Sequence, residues 1–312
     1  MGRTVLISEL TCFRSAHSNM SQLKPLVDNK QALAKTLVYD LEFEQHLIDE
    51  GYYPLAYRDG RVALPKPNNQ EEILAGPNDS ISPSHFSDED FENFVHVDEN
   101  APSGKPILQV IKRIEFGVVD PKCVGGGVPF ENLRRLADEP AFPAIPDHCY
   151  GARREQLDSN IRTDLSNDII PSTRNSTPIV PNFFLGVKEP STNHTVAKRE
   201  AWYLGLLGAR GMHSLQTYGQ KKKTYDNNAY TITCLYQMGT LRMFTVHPVA
   251  PARQKDPPKY VMHRLAAWSL TGSDAKTYRQ AMIAYLNARD LAREWREHFM
   301  GEANNDVLNL CN

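Results

Sequence analysis

The chain has no run approaching the roughly 18 apolar residues that a membrane helix needs. Its first residues, MGRTVLISELTCFRSAH, lack the apolar stretch of a secretion signal. An intracellular protein with no membrane association is therefore expected, in the cytoplasm, with the nucleus left open because Lys221–Lys223 is too short a basic run to serve as an address. Cysteine is scarce. Cys12, Cys123, Cys149, Cys234 and Cys311 lie far apart with no CxxC pair, which excludes a zinc-ribbon or disulfide framework and leaves free thiols. Glycine patterning is poor as well: Gly125–Gly127 fits neither GxGxxG nor GxxxxGK, so this turn is given no phosphate-binding role. Internal repeats are absent and the proline-rich stretches are local, which excludes a solenoid or a long linker.

What is there is an ordinary globular composition. The 312 residues are 41% hydrophobic and 23% charged, enough to bury a core without disulfide or metal staples. The net charge of −2 conceals an asymmetry, because residues 1–120 sum to −8 and residues 121–312 to +6. The second part is the better candidate for touching a polyanion.

Periodicity orders the chain. Leu33, Leu37, Val38, Leu41 and Ile48 predict an amphipathic helix ended by Gly51, and residues 52–86 read as loop and turns. SDEDFENFV predicts a helix capped by Ser87. ILQVIKRIEF (107–116) is strand-like, residues 141–149 can hold a short strand, and REQLDSNIRTDLSNDII reads as a helix and its exit. IVPNFFLGVK (179–188) predicts a buried strand, followed by a helix over 195–209 with Gly205, Gly208 and Gly211 at its end. AYTITCLYQ and TLRMFTVHPV flank Met238-Gly239 as a hairpin. A long final helix begins near Ser273, with Tyr278, Met282, Tyr285, Ala292, Trp295 and Phe299 on a stripe expected to be core.

The order of strand-like IPD, strand FFLGVK, helix KREAWY and then two strands resembles the PD-(D/E)XK nuclease-like superfamily. The matching positions are Pro146-Asp147, Gly186-Val187-Lys188 and Glu200-Ala201-Trp202-Tyr203. From IPDHCYGARREQLD through GARGMHSLQTY to the last helix, roughly residues 65–305, the chain also resembles a group of uncharacterised fungal proteins. The resemblance implies an α/β fold: a restriction-endonuclease-like core over 101–312, its central mixed sheet flanked by helices, after an acidic, mostly helical or looped extension over 1–100. In such a site two acidic groups hold Mg²⁺, the metal and the lysine activate water, and charge developing on phosphate is neutralised. This sequence departs from the pattern twice. Gly186 stands where an acidic residue is expected, and Glu200 where the helix usually carries Gln; Glu189 or Glu200 could supply the missing carboxylate.

Loss of a metal ligand beside a basic lobe points to changed chemistry, and here the chain is similar to the fungal arginine-containing cyclodipeptide synthases. That likeness implies a tRNA-dependent aminoacyl transferase joining arginine from arginyl-tRNA to a second residue from another aminoacyl-tRNA, with no cofactor. The catalytic candidates are then Asp147, Lys188, Glu200, Tyr203 and His213. Substrate contacts fall to Glu189, Arg153, Arg154, Lys198, Arg199 and Arg210. Carboxylates suit a guanidinium bidentately, and an activated ester needs positioning and a base rather than a metal. Two alternatives stand beside it. One is a Mg²⁺-dependent nuclease with Asp147 and Glu189 or Glu200 on the metal; the other is an inactive module that binds nucleic acid or protein.

Overall fold

The structure is a computed structural model describing residues 41–55, 57–59, 62–75, 86–100, 120–137, 144–253, 255–272 and 274–310. The apolar run at 179–188 has no polar alternation, which suits a strand covered on both faces. It forms β6 (Ile179–Lys188) inside a seven-stranded mixed sheet. The strand order is β1 (Tyr52–Tyr53), β9 (Lys259–Ser269), β8 (Thr240–Val249), β7 (Thr231–Gln237), β6, β5 (His148–Ala152) and β4 (Val124–Gly125). β6 and β7 are parallel, as are β1 and β9, and the remaining neighbours are antiparallel. Seven α-helices accompany these strands among the described residues: α1 (Leu41–Asp49), α2 (Gln70–Ala75), α3 (Asp88–Asn100), α4 (Ser159–Asp164), α5 (Ser166–Ile169), α6 (His194–Gln216) and α7 (Ala275–Leu310). A parallel pair needs a long crossover, and α6 supplies it between β6 and β7. The short strands β2 (Arg58–Asp59) and β3 (Val62–Ala63) pair separately.

The two long helices take opposite faces of the sheet. Trp202, Leu204 and Leu206 of α6 cluster with Phe184, Leu235, Phe244 and Val246. Tyr278, Met282 and Tyr285 of α7 cluster with Phe183, Leu185 and Val187. The expected α/β architecture, a mixed sheet flanked by helices, is thus present.

Several details differ from the reading of the sequence. α6 continues past residue 209, because its glycines are packing sites rather than an end. A Cβ on Gly205 would lie 2.6 Å from Val246 Cγ2, and one on Gly208 2.8 Å from Phe184 Cε2. Close approach to the sheet here offsets the helix propensity that glycine costs. The stretch 52–86 is more than loop, since it holds β1, β2, β3 and α2. Within residues 41–100, β1 extends the sheet, Phe43 and Leu47 join the α6 cluster, and Ile73 and Phe94 join the α7 cluster. The 107–116 strand, Ser273 and the first helix before Leu41 lie outside the described residues. Ser87 does cap α3, its Oγ donating to Asp90 and accepting from the Asp90 amide. Met238 and Gly239 have φ of 49° and 69°, the left-handed pair of a two-residue hairpin turn.

Cys123 and Cys234 are free thiols. Among the described residues no helix is long and apolar enough to cross a membrane.

One buried group sets an acid limit on this fold. His247, in β8, is completely buried, and burial together with neighbouring His263 pushes its imidazole down to about 4. The unfolded chain therefore binds this proton more readily than the folded one. Stability is full above pH ~6.5 and falls as the pH drops towards 4, by about 3 kcal/mol in total. Urea midpoints measured from pH 7.5 to 4 should show this loss, and His247→Gln should flatten it; an unchanged slope in the variant would assign the acid lability elsewhere.

Candidate functional site

The Pro146-Asp147 step enters β5, and the antiparallel register pairing His148 with Leu185 sets Asp147 beside the end of β6. Its Oδ2 accepts from the Val187 amide at 2.9 Å and from Lys188 Nζ at 2.8 Å. From the second turn of α6, Glu200 Oε2 reaches the same ammonium at 2.8 Å. Lys188 thus lies between two carboxylates delivered by separate elements. Burial alone would depress its pKa, but Asp147 and Glu200 prevail through charge and hydrogen bonding and hold it above the ordinary lysine value. The lysine is a cation at neutral pH and does not act as a base in this arrangement.

Local sequence explains the alignment. Asn193 caps α6, its Oδ1 accepting from the Thr195 amide. Gln237, at the end of β7, donates to the Thr192 carbonyl and bonds His194 Nδ1, tying the β6–α6 connection to the neighbouring strand. This clamp fixes where Glu200 sits relative to Lys188. On the other side the glycine run supports Asp147. A Cβ on Gly126 would lie 2.2 Å from the Asp147 carbonyl oxygen, and the Gly127 amide donates to the Pro146 carbonyl. Gly125–Gly127 is therefore a buttress for the acidic residue, a role that no phosphate-loop pattern would reveal.

Ile145, Asp147, Phe184, Gly186, Lys188 and Glu200 line a cavity of about 20 Å³. That is room for about one water molecule. Thr233 also lines it, and its buried hydroxyl has no hydrogen-bond partner among the described residues. At Gly186 a Cβ would meet only ordinary contacts, including Asp147 Oδ2 at 3.8 Å. The position that lacks a carboxylate thus still faces the cluster.

The other candidates are dispersed. Glu189 follows Lys188 directly, and Lys198 shares the first turns of α6 with Glu200. Arg199 is buried in an ion pair with Glu44 of α1. Tyr203 is buried against Phe43, and burial raises its pKa. Arg210 is 7% exposed and donates to the Arg134 and Arg135 carbonyls, which makes it a strut for that loop. Arg153 pairs with Asp120, and Arg154 donates to the Ser172 and Arg174 carbonyls. His213 lies ~20 Å of helix beyond Glu200. Its imidazole, bonded to the Thr224 carbonyl, is kept below the usual histidine value by burial. Asp147, Lys188 and Glu200 are the candidates that the fold brings into one cluster. The sequence reading missed Gln237, Thr233 and the glycine buttress; only Gln237, a polar residue ending an apolar strand, left a trace in the pattern.

Set beside family models, curated proteins and solved structures, the chain matches none of them.

Proposed function

We propose that Asp147, Lys188 and Glu200 form a metal-dependent phosphodiester-hydrolysis site on a PD-(D/E)XK-like core, with nucleic acid as substrate. The observation that carries this reading is the convergence of Asp147 and Glu200, from separate elements, within 2.8 Å of one lysine nitrogen. Mg²⁺ prefers oxygen ligands and commonly takes one or two protein carboxylates, completing its shell with substrate phosphate and water. Asp147 Oδ1 and Glu200 Oε1, the carboxylate oxygens that do not hold Lys188, would be the donors for such an ion. Among the described residues no cluster of three or more His, Cys, Asp or Glu gathers, so a two-carboxylate site is the form available. When bound, such an ion polarises a phosphoryl oxygen and acidifies water.

The chain's own groups have distinct tasks. The Val187 amide fixes the Asp147 carboxylate, and Gln237 fixes the helix that carries Glu200. Lys188, charged at neutral pH, donates to a phosphate oxygen and offsets the charge that grows there as water attacks.

An aminoacyl-tRNA-dependent synthase would use the same carboxylates as a guanidinium pocket. Lys188 Nζ already fills the place between them, and the adjoining cavity of about 20 Å³ is too small for a guanidinium. For that reason hydrolysis leads. The test is cleavage of labelled single-stranded RNA and DNA with and without EDTA, beside an incubation with arginyl-tRNA and mixed aminoacyl-tRNAs. Cleavage should vanish with EDTA and fall about 100-fold or more in Asp147→Asn. Full cleavage by that variant would remove Asp147 from the site, and an arginine-containing cyclic dipeptide without cleavage would replace this reading by the synthase.

A further inference from the structure

A second charged surface lies at the opposite end of the sheet from Lys188. Between α6 and β7, Lys221, Lys222, Lys223, Thr224 and Tyr225 line an open concavity of about 710 Å³, together with Ala250 and Pro251. The three lysines are exposed, and none forms an ion pair with a described carboxylate. Arg253 and Lys255 follow in the loop that Ala250 and Pro251 begin.

Lysine runs are usually solvated loops, but this one is held. Gln220 Nε2 donates to the Gln216 carbonyl, and Thr224 Oγ1 donates to Gln220 Oε1. The Thr224 carbonyl bonds His213, and the Tyr225 ring lies 4.8 Å from the His213 ring. The nearest acidic residue in the chain, Asp226, is engaged by Gln216 and Tyr230. Three unneutralised ammonium groups are thus presented on a fixed turn beside a half-exposed aromatic ring. A polyanion with flat, stackable groups matches both features: its phosphates meet the lysines and a base meets Tyr225.

We infer that this groove binds the backbone of a single-stranded nucleic acid, as a second contact distinct from the Asp147–Lys188–Glu200 cluster. The inference deepens the hydrolysis reading by naming the substrate class and where its unreacted part rests. Glu200 and the end of α6 are ~24 Å apart along the helix. At about 3.4 Å per nucleotide, seven or so nucleotides span that distance. A 20-mer should reach both places and a 4-mer only one.

The test is fluorescence anisotropy with fluorescein-labelled oligo(U) and oligo(dT) of 20 and 4 nucleotides, in EDTA so that no cleavage intervenes, over 50–200 mM KCl. The variant Lys221→Gln/Lys222→Gln/Lys223→Gln should bind the 20-mers about tenfold or more weakly and lose about 2 from the slope of log K against log salt. Tyr225→Ala should weaken binding about fivefold or more, with the slope retained, while Tyr225→Phe should bind as the unaltered chain does. The oligo(U) and oligo(dT) arms distinguish RNA from DNA. The inference is overturned if the unaltered chain fails to bind either 20-mer at 50 mM KCl, or if the triple variant keeps its affinity and slope. It is also overturned if the triple variant loses binding to phosphatidylserine vesicles while its oligonucleotide binding is unchanged. Binding that depends on the lysines, in a chain that never cleaves, supports the groove and removes only the hydrolysis reading.

Discussion

Glu200→Gln is expected to abolish hydrolysis, and Gly186→Asp added to that variant to restore it. The argument is positional. In the unaltered chain one carboxylate comes from the edge of β5 and the other from α6, and β6 contributes only Lys188 between them. Gln keeps the size of Glu200 and a hydrogen bond to Lys188 but removes the charge. Because the Glu200 side chain is 36% exposed, the fold should lose less than about 1 kcal/mol. Activity should fall about 100-fold or more, since charge stabilisation in such sites is worth several factors of ten. Position 186 faces the same cluster, and a Cβ there stays 3.7 Å from Lys188 Cε and Leu235 Cδ1 and 3.8 Å from Asp147 Oδ2. Asp is the smaller acidic choice for the confined space beside it. The double variant should regain at least tenfold over Glu200→Gln in the EDTA-controlled cleavage assay. Full activity of Glu200→Gln would exclude Glu200 as a ligand. A folded double variant as inactive as the single one would show that a carboxylate at 186 cannot replace it.

How far this cluster was legible follows from which signals are local. Asp147 follows proline at a strand entry, and Lys188 ends an apolar run, so both were readable as candidates. Glu200 was readable as the residue at the motif position of the helix and as one of two carboxylates able to compensate for Gly186; the choice between it and Glu189 depends on how α6 crosses the sheet. Gln237 and the Thr192 carbonyl are 45 residues apart, and their bond has no periodic signature. The glycine buttress is invisible for the same reason: Gly126 is needed because Asp147 approaches it, a fact about two segments rather than one. Fold-level reading behaved similarly. β6 and the β7–β8 hairpin were legible from apolar runs and the Met238-Gly239 turn. The two-residue edge strand β1 is too short for any period to show.

The largest effect on stability is expected at Asn182, a polar residue buried without exposure in an otherwise apolar strand. Ahead of it the strand is bulged: Ala152 pairs with Ile179 and Tyr150 with Phe183, leaving Val180, Pro181 and Asn182 opposite Gly151. Val180 has φ of 51°, and a Cβ on Gly151 would lie 2.4 Å from the Ile179 carbonyl oxygen, so the bulge depends on that glycine. It also breaks the alternation of the strand, because Asn182 and Phe183 both meet α7. Asn182 Nδ2 donates to the Ala292 carbonyl at 2.8 Å and to the Tyr230 carbonyl at 2.9 Å, while its Oδ1 accepts from Arg296. Phe183 packs its ring against Tyr285.

Arg296 makes this asparagine costly to lose. It is 3% exposed, and burial lowers its pKa to about 10, so it remains charged at neutral pH. Among the described residues no carboxylate pairs with it, and the Asn182 amide oxygen is the acceptor it has. Asn182→Leu keeps the branched shape of the side chain but strips that acceptor from a buried cation and removes two donated bonds. We expect a loss of about 3–5 kcal/mol in urea unfolding. Arg296→Met alone should cost less, because it removes the buried charge along with its bond. Combining Asn182→Leu with Arg296→Met should recover much of the loss, since replacing a whole buried polar set by apolar groups is close to neutral. The double-mutant cycle should therefore give a coupling of about 1–3 kcal/mol. Simple addition of the two single losses, or a cost below about 1 kcal/mol for Asn182→Leu, would mean that water rather than Asn182 satisfies Arg296.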